Sequence, residues 1–426
     1  MTCIPSPRLI VLCCACLSAC GAPASESEPN DRRYGLNYLV IPSPAEQTVT
    51  VQLTVSQGDD LLLEMRFDAD PARYSEFKAD GELSVNANRV TWSPPEDGGM
   101  LSWTVRVPGQ RNNNGYDAWL DESWGLFRAE DIIPRAATRT LVGVSSKTSI
   151  EFQLPANWSA VTEYARSAGV LRVRNPQRRF SQPSGWIVLG ELGVRRERIA
   201  GTRVVIAAPG DQGVRRLDML ALLNWTLPEL SRILPAMPRR LTIVSAGSPM
   251  WLGALSAPQS IYIHATRPLI SENGTSTLLH EVMHVALGKG PGSEDDWITE
   301  GLAEFYSLQL LRRSGSLTEK RYQRAMENQK TWAKSASVLC GPSSTGATTA
   351  LAVTVLTALD NEIRSASDEE QSLDDVLQRL LISTEPMGLE SLLKSSSDLL
   401  GRKPDALHID KLPGCRRLAK SETESL

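Results

Sequence analysis

The residue pattern reads as an α+β fold: an N-terminal antiparallel β-domain, a domain of mixed strands and helices, then a C-terminal helical region. Three observations lead there. From Tyr34 to Leu154 apolar and polar residues alternate in short runs broken by Pro, Gly, Asp and Asn clusters. From Trp158 to about Ile270, strand-like runs surround one helical stretch. After Gly315 the apolar spacing becomes helical throughout. These observations set the domain bounds at 34–155, 156–315 and 316–426.

Residues 1–19 read as an address outside the fold. Arg8 precedes a short apolar run, Leu9 to Leu17, which suits a signal-peptide core and is too short for a permanent span. The ending Leu17-Ser18-Ala19-Cys20 resembles the bacterial lipobox. That resemblance implies cleavage before Cys20 and a lipid on its sulfur, holding the chain to a membrane of the cell envelope. By the same resemblance, Gly21 in place of Asp implies the outer membrane where the cell has two membranes, facing the periplasm or exterior. The alternatives are an ordinary secretory signal cleaved near Ala19 and a buried Cys cluster. Residues 20–33 form the lipidated Cys and a polar tether.

In the β-domain, Val49, Val51, Leu53 and Val55 mark one inward face, and Leu101, Trp103, Val105 and Val107 another; Ile150, Phe152 and Leu154 repeat the pattern. Arg111 to Tyr116 (R-N-N-N-G-Y) is a turn between strands. Trp119, Trp124 and Phe127 read as core aromatics or as lining of a cleft. In the mixed domain, strands are expected at 185–192, 202–207, 240–245 and 260–266, with a helix over 214–234 that Pro228 interrupts.

The chemistry concentrates between Thr277 and Tyr306. His280, Glu281 and His284 stand as H-E-x-x-H in an apolar, helical segment. Positions four apart share a helix face, so both imidazoles can bind one metal ion, with Glu281 placed as a general base. Gly288 to Pro291 stop that helix, and Ser293, Asp295 and Asp296 offer caps for the next. Glu300, near the start of the second helix, is the third ligand, which leaves a fourth position open as catalytic zinc requires. Glu304, one turn on, is expected to accept the other ring N–H of His280. This chain has four His in all, and two stand here beside the Glu.

These residues, with Thr299-Glu300-Gly301 and Phe305-Tyr306, resemble the gluzincin metallopeptidases, most of all the glycyl aminopeptidase and aminopeptidase N families. The resemblance implies a thermolysin-like catalytic domain with Zn²⁺ as cofactor. It implies a cleft whose edge is the strand before the zinc helix, here 260–266, to which substrate adds by backbone hydrogen bonds. Gly253-Ala254-Leu255-Ser256-Ala257 stands where aminopeptidase N proteins have G-A-M-E-N, whose Glu holds the substrate's amino terminus. Ser256 takes that place, and a hydroxyl is no substitute for a carboxylate against an ammonium. An endopeptidase, or an exopeptidase anchored differently, therefore stands level with an aminopeptidase.

Helices are expected over 317–336, 348–365, 373–382 and 389–400. The stretch from Gly346 to Val376 is similar to the segment after the zinc site in glycyl aminopeptidase-like proteins, where a Tyr just before the Gly donates to the oxyanion. Here Gly341 to Gly346 contains no Tyr. His264, Tyr262 and Tyr322 are the candidate replacements. Of seven Cys, removal of the signal and acylation of Cys20 leave Cys340 and Cys415, a candidate disulfide in an oxidising compartment. His408 reads as a surface residue.

The net charge of −4 speaks against a nucleic-acid partner. The function expected is that of an exported, lipid-anchored zinc peptidase acting on a peptide or protein substrate. The rival is a zinc-stabilised envelope module that binds peptide or protein without cutting it; metal-dependent hydrolysis of a non-peptide amide is a third reading.

Overall fold

The computed structural model describes residues 32–112, 115–167, 170–174, 180–288 and 294–415. The expected signal, Cys20 and most of the tether lie outside them. The molecule is a mixed α+β protein with a β-rich N-terminal region and C-terminal helices.

Among the described residues, the β-rich region holds three sheets, of seven, five and four strands. In the largest, Arg33–Ser43 lies between Thr48–Ser56 and Ser145–Phe152. The pairing with Ser145–Phe152 is parallel over eight residue pairs, so the sheet is not purely antiparallel as expected. The chain has already built the intervening strands when it returns, and the remaining side of the first strand meets it running the same way. The expected limit at 155 is also passed. Trp186–Gly190 pairs with Trp124–Arg128 and with Ser159–Val161, so the β-rich region runs on to about residue 190. Trp124 and Phe127 are buried, and Trp119 packs against the cluster that holds Trp124.

The central sheet has five strands, in the order Leu192–Ile199, Thr202–Pro209, Arg240–Ala246, Ser260–His264, Ala254–Ala257. Both faces are covered, which is why its inner strands are apolar without a break. Val204, Ile206, Leu241, Ile243, Ile261 and Ile263 point to the helices. Val205, Ala207, Val244, Ala246 and Tyr262 point the other way, against Trp124, Trp186 and Val188. Here the structure corrects the expected cleft edge. Ser260–His264 is paired on both sides, and the free edge belongs to the short strand Ala254–Ala257.

Among the described residues there are eight α-helices: α1 (Ala129–Ile132), α2 (Arg216–Ile233), α3 (Thr277–Leu287), α4 (Asp296–Arg313), α5 (Glu319–Ala333), α6 (Ala347–Ala366), α7 (Leu373–Ile382) and α8 (Leu389–Leu400). Pro228 does not interrupt α2. Leu220, Leu223, Leu227 and Leu230 form a buried stripe, and that packing outweighs the lost backbone hydrogen bond of about 3 kcal/mol. α4 is the central helix, buried along most of its length among α3, α5 and α6. No helix of the described residues is long and apolar enough to cross a membrane. Cys340 and Cys415 are joined by a disulfide, which ties the last described residue to the loop before α6.

Candidate metal centre

Two helix ends fix the position of the centre. Ser276 caps α3 by accepting from the Leu279 amide at 3.3 Å, and Gly288 closes it in the left-handed conformation (φ 59°) that glycine adopts without strain. Asp295 precedes α4 but does not cap it through its side chain. Its carboxylate instead accepts from the Leu389 amide at the start of α8, at 3.2 Å. Asp296 accepts from the Ser344 amide at 2.6 Å. The acidic pair expected to cap one helix thus ties α4 to α8 and to the loop before α6.

α3 and α4 lie side by side, and their facing side chains meet. The Nε2 of His280 lies 3.2 Å from one Glu300 oxygen, and the Nε2 of His284 lies 3.3 Å from the other. The two Nε2 atoms are 3.1 Å apart. Ligand atoms of all three residues fall within 4.8 Å of one another, the one such group of metal-ligating side chains among the described residues. Two ring nitrogens and a carboxylate converging at this distance call for a cation between them, a proton or a metal. Two His and one carboxylate are a donor set that suits zinc, so the residues present fit it.

Proton affinities reflect the same geometry. Burial would lower His280, but hydrogen bonds to Glu300 and Glu304 raise it to about 10. Burial would raise Glu300, but His280 and His284 bring it down to about 2. Without a metal, the pair is an ion pair.

Glu304 stands where the helix spacing put it. It faces the Nδ1 of His280 at 3.1 Å. Its other oxygen accepts from Gln329 of α5, also at 3.1 Å. Glu281 is buried and lines a cleft of ≈ 490 Å³ with His280, His284 and Glu300; Leu255, Ser256 and Ala257 of the edge strand form part of the wall. Ser256 therefore does face the site. Two cavities of ≈ 290 Å³ adjoin at His280. One runs toward Gln329, Trp332 and Thr345, the other toward Trp251, Gly253 and Arg267.

The three candidate oxyanion donors are not brought to the site; none lines any of these cavities. Tyr262 is buried on the opposite face of the sheet and donates to the Trp251 carbonyl at 2.8 Å. Burial pushes its hydroxyl far above the ordinary tyrosine range. His264 is buried at the end of the same inner strand, its Nδ1 2.9 Å from the Thr266 hydroxyl. Tyr322 is buried behind α4 and accepts from Gln309 at 2.8 Å. Alternation along the inner strand sends residue 262 away from the helices, which position in the sequence alone does not reveal.

Sequence reasoning also missed Gln329, Asp296 and Arg267. Gln329 and Arg267 carry no motif, and Asp296 had an adequate explanation as a cap. His408 is exposed, beside Asp410 at 3.2 Å.

No family model and no curated protein matches this chain. Among solved structures, it is similar to an aminopeptidase N family protein from Idiomarina loihiensis, with a TM-score of 0.63. The match covers 89% of this chain and 74% of that one at 15% identity. A likeness at that identity speaks for a shared fold.

Proposed function

We propose that this protein is a zinc metallopeptidase of gluzincin type, with a thermolysin-like catalytic domain, held to the cell envelope by a lipid on Cys20. The observation that carries the reading is the convergence of His280, His284 and Glu300 on one point, with Glu281 beside them in a cleft bounded by an unpaired strand edge. The fold shared with an aminopeptidase N family protein supports the peptidase class.

His280, His284 and Glu300 would hold the zinc, which supplies Lewis acidity toward a carbonyl oxygen and makes water more acidic. Glu304 holds the His280 ring through Nδ1, so that Nε2 faces Glu300, where it would serve as a ligand. A peptide pairs with the free edge of Ala254–Ala257, which lays its backbone across the ligand cluster. Glu281 accepts a proton at its carboxylate from the attacking water and returns it to the leaving amine. Ser256 offers no charge to a substrate ammonium, which favours internal cleavage or an exopeptidase with another anchor.

One observation favours the second reading, a zinc-stabilised module that binds peptide or protein without cutting it. The candidate oxyanion donors are all packed away from the cleft, and a missing oxyanion donor costs about 100- to 1000-fold in rate. The retained Glu281, which a structural zinc site does not need, outweighs it. The test is digestion of a mixed peptide pool, half with acetylated amino termini, by the zinc-loaded protein. Cleavage of both halves supports an endopeptidase, and cleavage of the free half alone an aminopeptidase. An intact pool in both halves transfers the assignment to the binding module.

A further inference from the structure

The cavity between Trp251 and the ligand cluster contains an arginine that no carboxylate among the described residues holds. Arg267 lies just past the inner strand and reaches back to the Leu252 carbonyl, to which its Nη2 donates at 3.1 Å. Its Nε is buried with no partner, and no carboxylate pairs with the guanidinium among the described residues. The indole N–H of Trp251, in the same wall, is also buried and unpartnered. Arg111 stacks on the Trp251 ring at 4.1 Å and adds positive charge at this end. Its nearest acidic partner, Asp117, is 3.9 Å away and is shared with Arg128. A buried donor without an acceptor is costly, and such groups are normally satisfied in native proteins. The two carboxylates that share the cavity, Glu281 and Glu304, belong to the metal end; Glu304 is already held by His280 and Gln329.

We propose that Arg267 is the binding site for a carboxylate of the substrate on the carboxyl side of the scissile bond. The proposal rests on the peptide-substrate reading above. A peptide pairing antiparallel with Ala254–Ala257 has its amino end beside Ala257 and Pro258. Its carboxyl end then lies beside Gly253 and Ala254, where Arg267 stands. Arg is the side chain best shaped for a planar carboxylate, which it grips through two parallel N–H groups. That carboxylate is either the free carboxyl terminus of a short peptide or an acidic side chain just past the cut. The shared chemistry is the anion.

The test measures binding, so it does not depend on cleavage. The Glu281→Gln variant, in zinc-containing buffer, is dialysed against three hexapeptide pools, and retained peptide is quantified by mass spectrometry. The first pool has a free carboxyl terminus and no Asp or Glu. The second is its carboxyl-terminal amide. The third is the amide with one Glu at the fifth position. Retention of the first or third over the second by about 10- to 100-fold is expected, the strength of one charged hydrogen-bonded contact. Which pool is retained identifies the source of the carboxylate. The preference should vanish when Arg267→Gln is added. Equal retention of all three pools, retention of none, or a preference that survives Arg267→Gln overturns the proposal. The peptidase reading fails separately, if the wild type leaves the mixed pool of the preceding test intact.

Discussion

Glu304 of α4 faces the Nδ1 of His280 of α3 at 3.1 Å, and the relationship fixes more than a ring angle. A carboxylate in that place accepts from the Nδ1–H, so Nε2 is the ring nitrogen left facing Glu300 and any metal held there. Gln329 holds the far oxygen of Glu304, so three helices orient one imidazole. Replacing Glu304 with Gln should lower zinc affinity by about 10- to 100-fold while leaving all three ligands in place. Competition with a chromophoric chelator measures it, and an unchanged affinity would reduce Glu304 to a bystander.

Gly301 lets α4 approach α6. A Cβ there would lie 2.7 Å from the Ala352 Cβ and 3.0 Å from the Leu356 Cδ1. Gly301→Ala should destabilise the protein by about 1–3 kcal/mol through overpacking, and should weaken zinc binding by shifting the adjacent Glu300. Adding Ala352→Gly returns part of both losses if the clash is the cause. Urea unfolding of the two single variants and the double variant decides it.

Glu163 is nearly fully buried where the β-rich region meets the central sheet, accepting from Ser260 Oγ at 2.9 Å and from the Gln259 amide at 3.3 Å. Burial pushes it from 4.5 up to about 7; Ser260 and Gln259 pull it down and Glu130 adds to the rise. The folded state keeps this proton at pH values where the unfolded chain has released it. Stability therefore falls as pH rises from about 4.5 to about 7, by up to about 3 kcal/mol from this group. Glu163→Gln should flatten the decline, as read by denaturant unfolding at pH 5 and pH 8. An identical decline in the variant would assign the effect elsewhere.

The disulfide closes a loop across a sequence separation of 75 residues. Loop-closure entropy alone gives such a link about 4 kcal/mol. Beside it, the Leu339 amide donates to the Pro413 carbonyl at 2.7 Å. Double replacement of Cys340 and Cys415 by Ser should lower the unfolding midpoint and expose the tail first to protease. Equal protease resistance with and without the bond would contradict this.

The grouping of His280, His284 and Glu300 was legible because the spacing behind it is local. H-E-x-x-H sets two imidazoles one helical turn apart, and Glu300 and Glu304 repeat that spacing on the next helix. The helices after Gly315 were legible within a few residues, because their periodicity and end signals agree. The features that escaped depend on three-dimensional neighbours. Leu192–Ile199 is an outer strand carrying Arg195, Arg196, Glu197 and Arg198, so its pattern looks like a loop. The edge strand is four residues long, too short to outweigh the apolar run just after it. Asp295 looks like a cap for its own helix until α8 is placed beside it. The choice among Tyr262, His264 and Tyr322 needed the direction each side chain points, which depends on sheet order.

If His280, His284 and Glu300 hold one zinc ion and Glu281 is the base beside it, replacing Glu281 separates metal binding from cleavage. The most direct measurement pairs zinc content with peptide cleavage in the wild type and in Glu281→Gln. One zinc per chain is expected in both proteins, with cleavage by the variant lower by about 100- to 10,000-fold. Cleavage at equal rates would remove Glu281 from the mechanism, and a wild-type protein that binds no zinc would contradict the metallopeptidase assignment.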